Sequence, residues 1–252
     1  MIPGGHPLGA LDAPPDAAGA VRWPTWALRV AGGLLLAVAW ELAGRASSSL
    51  LLPSFSETLG ALAQLVSSAP LWRALWISNQ ALLAGFTAAL ATGVPLGAAL
   101  AAWPRAAAWI DPYLHLLIVV PTTALIPLVF MATGPGLVTR ALVVWMFAMP
   151  MVAQCTRTAI GQVDTRLVDL AASLCATRVQ IWRRIVLPSA LPGLIVGARL
   201  GLARAVEGMV IVELLLVAVG VGGLLLDYQG RFEAAHVYAL MLVVMAESSL
   251  LS

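Results

Sequence analysis

The chain of 252 residues contains no lysine; all fourteen of its basic residues are arginine. A phosphate-binding loop of the G-x-x-x-x-G-K-[ST] type needs that lysine to reach the β- and γ-phosphates. Any ATP-driven work must therefore be done by another polypeptide. Charge of either sign is scarce: charged residues make up 10% of the chain, against roughly 25% in ordinary soluble domains. The two cysteines, Cys155 and Cys175, are too few for a disulfide framework and lack metal-ligand spacing. No Ser/His/Asp constellation, no carboxylate pair on one helical face and no His/Cys cluster occurs, and His115 and His236 stand alone. No catalytic site and no metal site is expected. The polar stretches lack the interleaved basic and aromatic residues of nucleic-acid binders, so no nucleic-acid partner is expected.

What is present is apolar. Hydrophobic residues form 61% of the chain, and mean hydropathy is +0.94. The apolar residues come in runs too long for soluble helices, which makes the bilayer the expected solvent. Residues 1–25 are rich in Pro, Gly and Ala and carry Asp12 and Asp16. They lack the basic start and apolar core of a secretory signal and read as a disordered cytoplasmic tail. The remainder, 26–252, reads as one transmembrane domain.

A spanning helix needs about 20 mostly apolar residues. Six stretches meet this: 26–44, 79–103, 112–133, 137–160, 189–212 and 234–252. Between the first two, Ser54-x-x-Glu57 is a capping box, and Leu59, Leu62, Leu65 and Val66 predict a short interfacial helix after it. Gly134-Pro135-Gly136 predicts a tight turn. Segment 213–233 begins apolar and ends polar. The last stretch covers roughly 28 Å at 1.5 Å per residue, barely a crossing, so a shortened C-terminus is expected.

Arginine decides sidedness. With the N-terminus inside, Arg22, Arg29, Arg105, Arg157, Arg166, Arg178, Arg183 and Arg184 lie in or beside the cytoplasm, and Arg45, Arg73 and Arg231 lie outside. Both termini and 161–188 are then cytoplasmic.

The 161–188 segment is a polar, arginine-bearing interruption. Asp164 is a predicted N-cap, and Leu167, Leu170, Ala171 and Leu174 recur at helical spacing. A second amphipathic run, Val179 to Val186, sets Ile181, Trp182, Ile185 and Val186 against Arg183 and Arg184. Two short helices joined near Cys175 form a knob with an apolar face and a basic rim. Composition fits two uses equally: docking in a partner's groove, or lying on anionic headgroups.

The spacing favours docking. Asp169-Leu170-Ala171, then Cys175, then Ile185-Val186-Leu187-Pro188 resembles the cytoplasmic loop of bacterial ABC-importer permeases, E-A-A-x3-G-x9-I-x-L-P. The resemblance extends through Trp40-Glu41-Leu42-Ala43, Leu52-Pro53-Ser54, Gly85-Phe86, Gly93-Val94-Pro95-Leu96-Gly97, Asp111-Pro112, the run Pro121 to Leu128, and Val212-Glu213-Leu214. It covers roughly 35–252 and is closest to the nitrate/sulfonate/taurine branch. Asp169 stands where the family has Glu, Leu170 where it has Ala, and Cys175 where it has Gly. A Gly there usually serves a turn that a Cβ disfavours. Either the turn here has negative φ, or coupling is altered.

The fifth stretch carries or borders Arg199, Arg204, Glu207 and Glu213. Such charges face a bundle interior or a water-filled path. They form structural ion pairs, Arg204 with Glu207 at i,i+3, or they line a route for an anion. Arg199 and Glu213, two heptads apart, are expected to face a similar way. Pro95, Pro121, Pro127 and Pro150 are expected to free backbone carbonyls within spans, as packing kinks or as hinges; Pro121, Thr122 and Pro127 join the candidate pathway.

The expected fold is all-α, a polytopic membrane protein with six spanning helices and a cytoplasmic two-helix loop. The resemblance implies a multi-pass permease of the bacterial inner membrane, working as a homodimer among membrane lipids. It implies two ABC ATPase subunits that bind ATP and Mg, docked on Asp169, Leu170, Ala171, Cys175, Ile185, Leu187 and Pro188. It also implies a substrate-binding protein outside, and a small anionic solute such as a sulfonate, taurine or nitrate. No cofactor is expected on this chain. Two rivals remain: a proton-coupled secondary transporter with Glu207 or Glu213 titrating, and a polytopic membrane enzyme using Arg199, Arg204, Glu207 and Glu213. Neither accounts for 161–188.

Overall fold

The computed structural model describes residues 25–47, 51–119, 121–216 and 218–251. The tail expected at 1–25 lies outside these but for Thr25. Among the described residues every regular element is helical. In chain order these are α1 (Thr25–Ala46), α2 (Phe55–Ser67), α3 (Ala69–Ala102), α4 (Pro104–Val119), a 3-10 turn (Thr122–Leu125), α5 (Ile126–Thr133), α6 (Leu137–Gly161), α7 (Thr165–Ser173), α8 (Arg178–Ile181), a π turn (Trp182–Val186), α9 (Leu187–Leu215), α10 (Gly220–Gly230) and α11 (Ala234–Leu251).

α6 is the central helix, packed along α3 on one side and α9 on the other. Lipid tails are as apolar as Leu, so burial alone does not hold such helices together; close backbone approach does. Both neighbours present small residues every fourth position. On α3 these are Gly85, Ala89, Gly93 and Gly97; a Cβ at Gly97 would stand 2.3 Å from the Ala153 carbonyl oxygen of α6. On α9 they are Gly193, Gly197 and Gly201, where a Cβ would meet Ala159, Cys155 and Val152 of α6. Around this seam Leu82, Val144, Ala148, Ala205 and Met209 form a buried cluster. A second cluster (Leu65, Leu71, Val221, Leu225, Leu240) joins α2, α3, α10 and α11. Elsewhere large apolar side chains point outward, as along Leu34, Leu35 and Leu36 of α1, the surface a bilayer would cover.

Three helical runs among the described residues are long and apolar enough to cross a membrane: Ala69–Ala102, Leu137–Gly161 and Arg178–Leu215. The count rises to four if α4 and α5 form one broken span. Ala234–Leu250 is a shorter apolar helix.

Several expectations need correction. The stretch 112–133 is not one straight helix: α4 and the Thr122–Thr133 part meet at 91°. Pro121, which has no N–H to continue the helical ladder, stands at the break and leads into the 3-10 turn. Pro127 does not interrupt a span, because it lies in the first turn of α5, where no amide donor is needed. Pro95 and Pro150 are inside α3 and α6 as expected. The second span begins at Ala69, ten residues earlier than expected, and the fifth is part of a continuous run from Arg178. The 213–233 segment contains α10, packed on α3 and α9.

The capping box of α2 is formed. Ser54 Oγ accepts from Glu57 N–H at 3.3 Å, and Glu57 Oε2 accepts from Ser54 N–H at 2.8 Å. The buried face of α2 is Thr58, Ala61 and Leu65. Leu59 and Val66 are exposed.

Candidate functional site

Three places gather the residues that matter. The first is the 161–188 segment. Asp164 caps α7, its Oδ1 accepting from Arg166 N–H at 2.9 Å. α7 ends in a paired hydrogen-bond motif: Ala176 N–H donates to Ala171 O, and Cys175 N–H to Ala172 O, both at 3.0 Å. This is the Schellman arrangement, and it sets the residue after the cap in left-handed backbone. That residue is Cys175, at φ +60. The turn therefore has the positive φ that usually selects glycine, and a side chain occupies it. α8 then starts on a second capping box. Thr177 Oγ1 accepts from Gln180 N–H at 3.4 Å, and Gln180 Oε1 from Thr177 N–H at 2.8 Å. Its T-x-x-Q spacing was legible but missed.

Beyond α8 the helix widens. Leu187 N–H donates to Trp182 O, five residues back. Pro188 has no amide hydrogen, and the single π turn precedes it; such bulges are frequent at functional sites. Asp169, Leu170, Cys175, Leu187 and Pro188 are exposed; Ala171 and Ile185 are half-buried. Leu167, Leu170, Leu174 and Val179 are 46–75% exposed, an apolar surface that none of the described residues covers.

The second place is a cavity of about 130 Å³ lined by Leu117, Pro121, Thr122, Phe147, Arg204 and Glu207 among others. It unites four of the seven pathway candidates. Arg204 Nη1 pairs with Glu207 Oε2 at 2.9 Å, both near half-exposed, so the pair contributes little to stability. Thr122 Oγ1 donates to Leu117 O at 3.1 Å. Pro127 and Arg199 are exposed and do not line this cavity.

Glu213 is the third place, and it corrects the expectation that it faces as Arg199 does. Glu213 is fully buried, because α3, α6 and α10 close around the C-terminal half of α9. Ser78 Oγ lies 2.8 Å from its Oε2, Gly222 N–H donates to the same oxygen at 3.1 Å, and Arg140 Nη1 stands 3.3 Å from Oε1. Arg140 also donates to Ile77 O at 2.9 Å, and Val221 N–H to Ser78 Oγ at 2.9 Å. Gly220 has φ +64, and a Cβ there would lie 2.3 Å from Ser78 Oγ. The node ties α3, α6, α9 and the start of α10 together. Arg140 has no sequence signal that would find this partner, which is 73 residues away. Two further contacts were also missed: the Arg157–Asp111 ion pair between α6 and α4, and the meeting of Asn79 with Glu247 between α3 and α11. Among the described residues no group of three His, Cys, Asp or Glu has metal-site geometry.

Among the described residues, long apolar helices packed in a bundle with an exposed amphipathic loop define a multi-pass membrane protein. The chain belongs to the family of binding-protein-dependent transport system inner membrane components, whose profile matches residues 93–251. It is 29% identical over 219 residues to the taurine transport system permease protein TauC of Escherichia coli strain K12, covering 84% of this chain and 79% of the relative. It is 32% identical over 221 residues to the riboflavin transport system permease protein RibX of Chloroflexus aurantiacus, covering 86% and 81%. Its fold is shared with a chain of the inward-facing methionine ABC transporter MetNI: TM-score 0.58 at 22% identity, over 76% of this chain and 91% of that one. The chain is therefore an ABC-importer permease subunit, a multi-pass inner-membrane protein. ATP hydrolysis belongs to a separate subunit, and a substrate-binding protein is the other partner the family implies.

Two outcomes are expected from this geometry. Glu213→Gln leaves Arg140 buried without its counter-charge, a loss of about 3–5 kcal/mol for a broken buried pair. The purified variant should aggregate or melt well below the wild type, and Arg140→Met with Glu213→Met should recover part of that loss. Cys175→Gly removes left-handed strain of about 1–2 kcal/mol, partly offset by glycine's greater unfolded-state freedom. It should slow proteolytic nicking between α7 and α8, whereas Cys175→Val should hasten it.

Proposed function

We propose that this subunit moves a small anionic solute inward by alternating access, as one half of a homodimer whose pathway lies at the two-fold interface. The observation that carries the coupling half of this reading is the uncovered apolar surface of Leu167, Leu170, Leu174 and Val179 on the 161–188 loop. Exposed apolar side chains beside Arg166, Arg178, Arg183 and Arg184 suit a groove on a partner protein. Two ATPase subunits, holding ATP and Mg themselves, dock on Asp169, Leu170, Ala171, Cys175, Ile185, Leu187 and Pro188 of the two copies, the segment that resembles the E-A-A loop. ATP binding draws the two loops together and reorients the pore; hydrolysis resets it. The chain itself holds no cofactor.

The arginine distribution supports a cytoplasmic N-terminus. Six crossings result if α1, the α4–α5 pair and α11 each cross with the three long runs, leaving the outer helix faces to lipid. The solute is a sulfonate, taurine or nitrate-like anion. The taurine relative supports this, while the riboflavin relative shows that the family's solutes vary. Within the chain, Arg204 beside the cavity with Thr122 supplies the forked donor an oxyanion needs.

Asp169→Arg and Ala171→Arg should each abolish co-purification of the ATPase while leaving membrane insertion intact. Co-purification at wild-type levels in both variants would remove the docking role. For the solute path, Arg204→Gln should slow uptake of a sulfonate into proteoliposomes roughly tenfold, the loss of one charge-assisted contact. Assembly on size-exclusion chromatography should be retained. Undiminished uptake would assign Arg204 and Glu207 to structure.

A further inference from the structure

The turn between α10 and α11 has an exposed aromatic residue that its backbone does not call for. Arg231 caps α10, Phe232 N–H donates to Gln229 O at 3.1 Å, and Glu233 N–H to Tyr228 O at 3.0 Å. This is the same helix-ending motif as at Cys175, and it places Phe232 at φ +58. Glycine is the usual occupant of that position. The ring of Phe232 is also unpacked, with the residue 73% exposed. Local conformation selects glycine, so the turn itself does not call for a phenylalanine. The turn around it is braced. Arg231 pairs with Asp227 at 2.9 Å, Glu233 with His236 at 3.0 Å, and Tyr228 stacks on His236 at 4.8 Å.

Beside the ring lies an open cavity of about 440 Å³, walled by Pro53 and Glu57 from the start of α2 and by Phe232, Glu233 and His236. Its titratable lining is two carboxylates and one histidine. The cavity lies at the end of the bundle opposite 161–188. Asp227 of α10 shares a hollow with Pro70 and Arg73 at the start of α3, whereas Gly97, near the other end of α3, and Gly193, near the start of α9, both meet the C-terminal part of α6. α3 alone has 34 residues, a separation of roughly 50 Å.

We propose that Phe232 and this cavity are the seat of the substrate-binding protein. The proposal rests on the reading above that 161–188 is cytoplasmic, which puts the α10–α11 turn outside. The partner surface it fits has an apolar patch that covers the Phe232 ring, next to an arginine or lysine that enters between Glu57 and Glu233. A rigid aromatic at the centre of a contact with a charged rim is the anatomy of an interface anchor. The acidic lining disfavours the other occupant of an exposed ring, an anionic lipid headgroup.

The backbone supplies a clean test, since Phe232→Gly suits the left-handed position and preserves the turn. The importer complex is reconstituted in lipid nanodiscs, and ATP hydrolysis is followed while its cognate binding protein is titrated. Phe232→Gly and Glu233→Gln should each raise the concentration for half-maximal stimulation by at least about tenfold, the size expected for an interface anchor. An unchanged concentration in both variants overturns the proposal, as does a response that follows the fraction of anionic lipid instead. In a separate measurement, Phe232→Cys is probed in sealed vesicles with a membrane-impermeant maleimide. It should label from the binding-protein side and be shielded by excess binding protein. Labelling from that side without shielding overturns the docking seat alone. Labelling only from the ATPase side overturns the sidedness on which it rests.

Discussion

A carboxylate with no access to water sits where four helices meet, and the bundle is organised around satisfying it. Transferring an ion into such surroundings costs several kcal/mol even after relaxation. Glu213 meets that cost with Arg140 from α6, Ser78 from α3 and the Gly222 amide of α10. None of these is optional, because an unsatisfied buried charge is far more costly than an absent one. The consequence is positional. α3, α6 and α9 are held in register at this depth, and α10 must start with a glycine in left-handed backbone so that its first amides reach Ser78 and Glu213.

Packing toward the far end of the bundle uses a different device. There α6 is gripped by glycines at four-residue spacing on α3 and α9, which bring backbones within a distance no Cβ would permit. The node specifies position through direction-dependent hydrogen bonds, whereas the glycine seams specify only closeness. A seam of that kind tolerates small sliding and rotation of helices past one another better than a network of buried ionic hydrogen bonds does. The end near 161–188 is thus built from the more adjustable contact, and the Glu213 end from the less adjustable one.

Local chemistry was legible in the sequence; long-range partnership was not. The Ser54–Glu57 box and the Asp164 cap form because each depends on three or four consecutive residues. The exposed knob at 161–188 was legible because an amphipathic interruption between apolar runs has few uses. The Thr177–Gln180 box was equally readable and was overlooked. The glycine seams were overlooked, and four-residue spacing alone does not say which helix it faces. Arg140 and Glu213 could not be paired from one sequence, since nothing local links residues 73 apart. Arg204 and Glu207 were read as neighbours because a helix places i and i+3 together; that their cavity also takes in Thr122 depended on the 91° bend after α4. That bend in turn reflects Pro121, whose meaning as kink or break is settled by packing rather than by propensity.

The two non-glycine residues in left-handed backbone, Cys175 and Phe232, stand on opposite sides of this arrangement. Each terminates a helix with the same pair of hydrogen bonds, so the backbone requirement is common to both and does not depend on the side chain. The two turns differ in how they connect to the rest of the bundle. After Cys175 the chain enters the run Arg178–Leu215, which carries the loop's orientation through the π turn and along α9 to Glu213. Glu213 in turn holds the first turn of α10, and the last turn of α10 positions Phe232. A helix is stiff along its axis, and the node leaves α10 little freedom relative to α9. Displacement of the 161–188 loop is therefore taken up chiefly at the π turn and the glycine seams, while the Glu213 node moves α9 and α10 as one body. In the proposed importer, that arrangement gives a rigid connection between the surface that meets the ATPase and the surface that meets the binding protein, with its compliance concentrated near the cytoplasmic end.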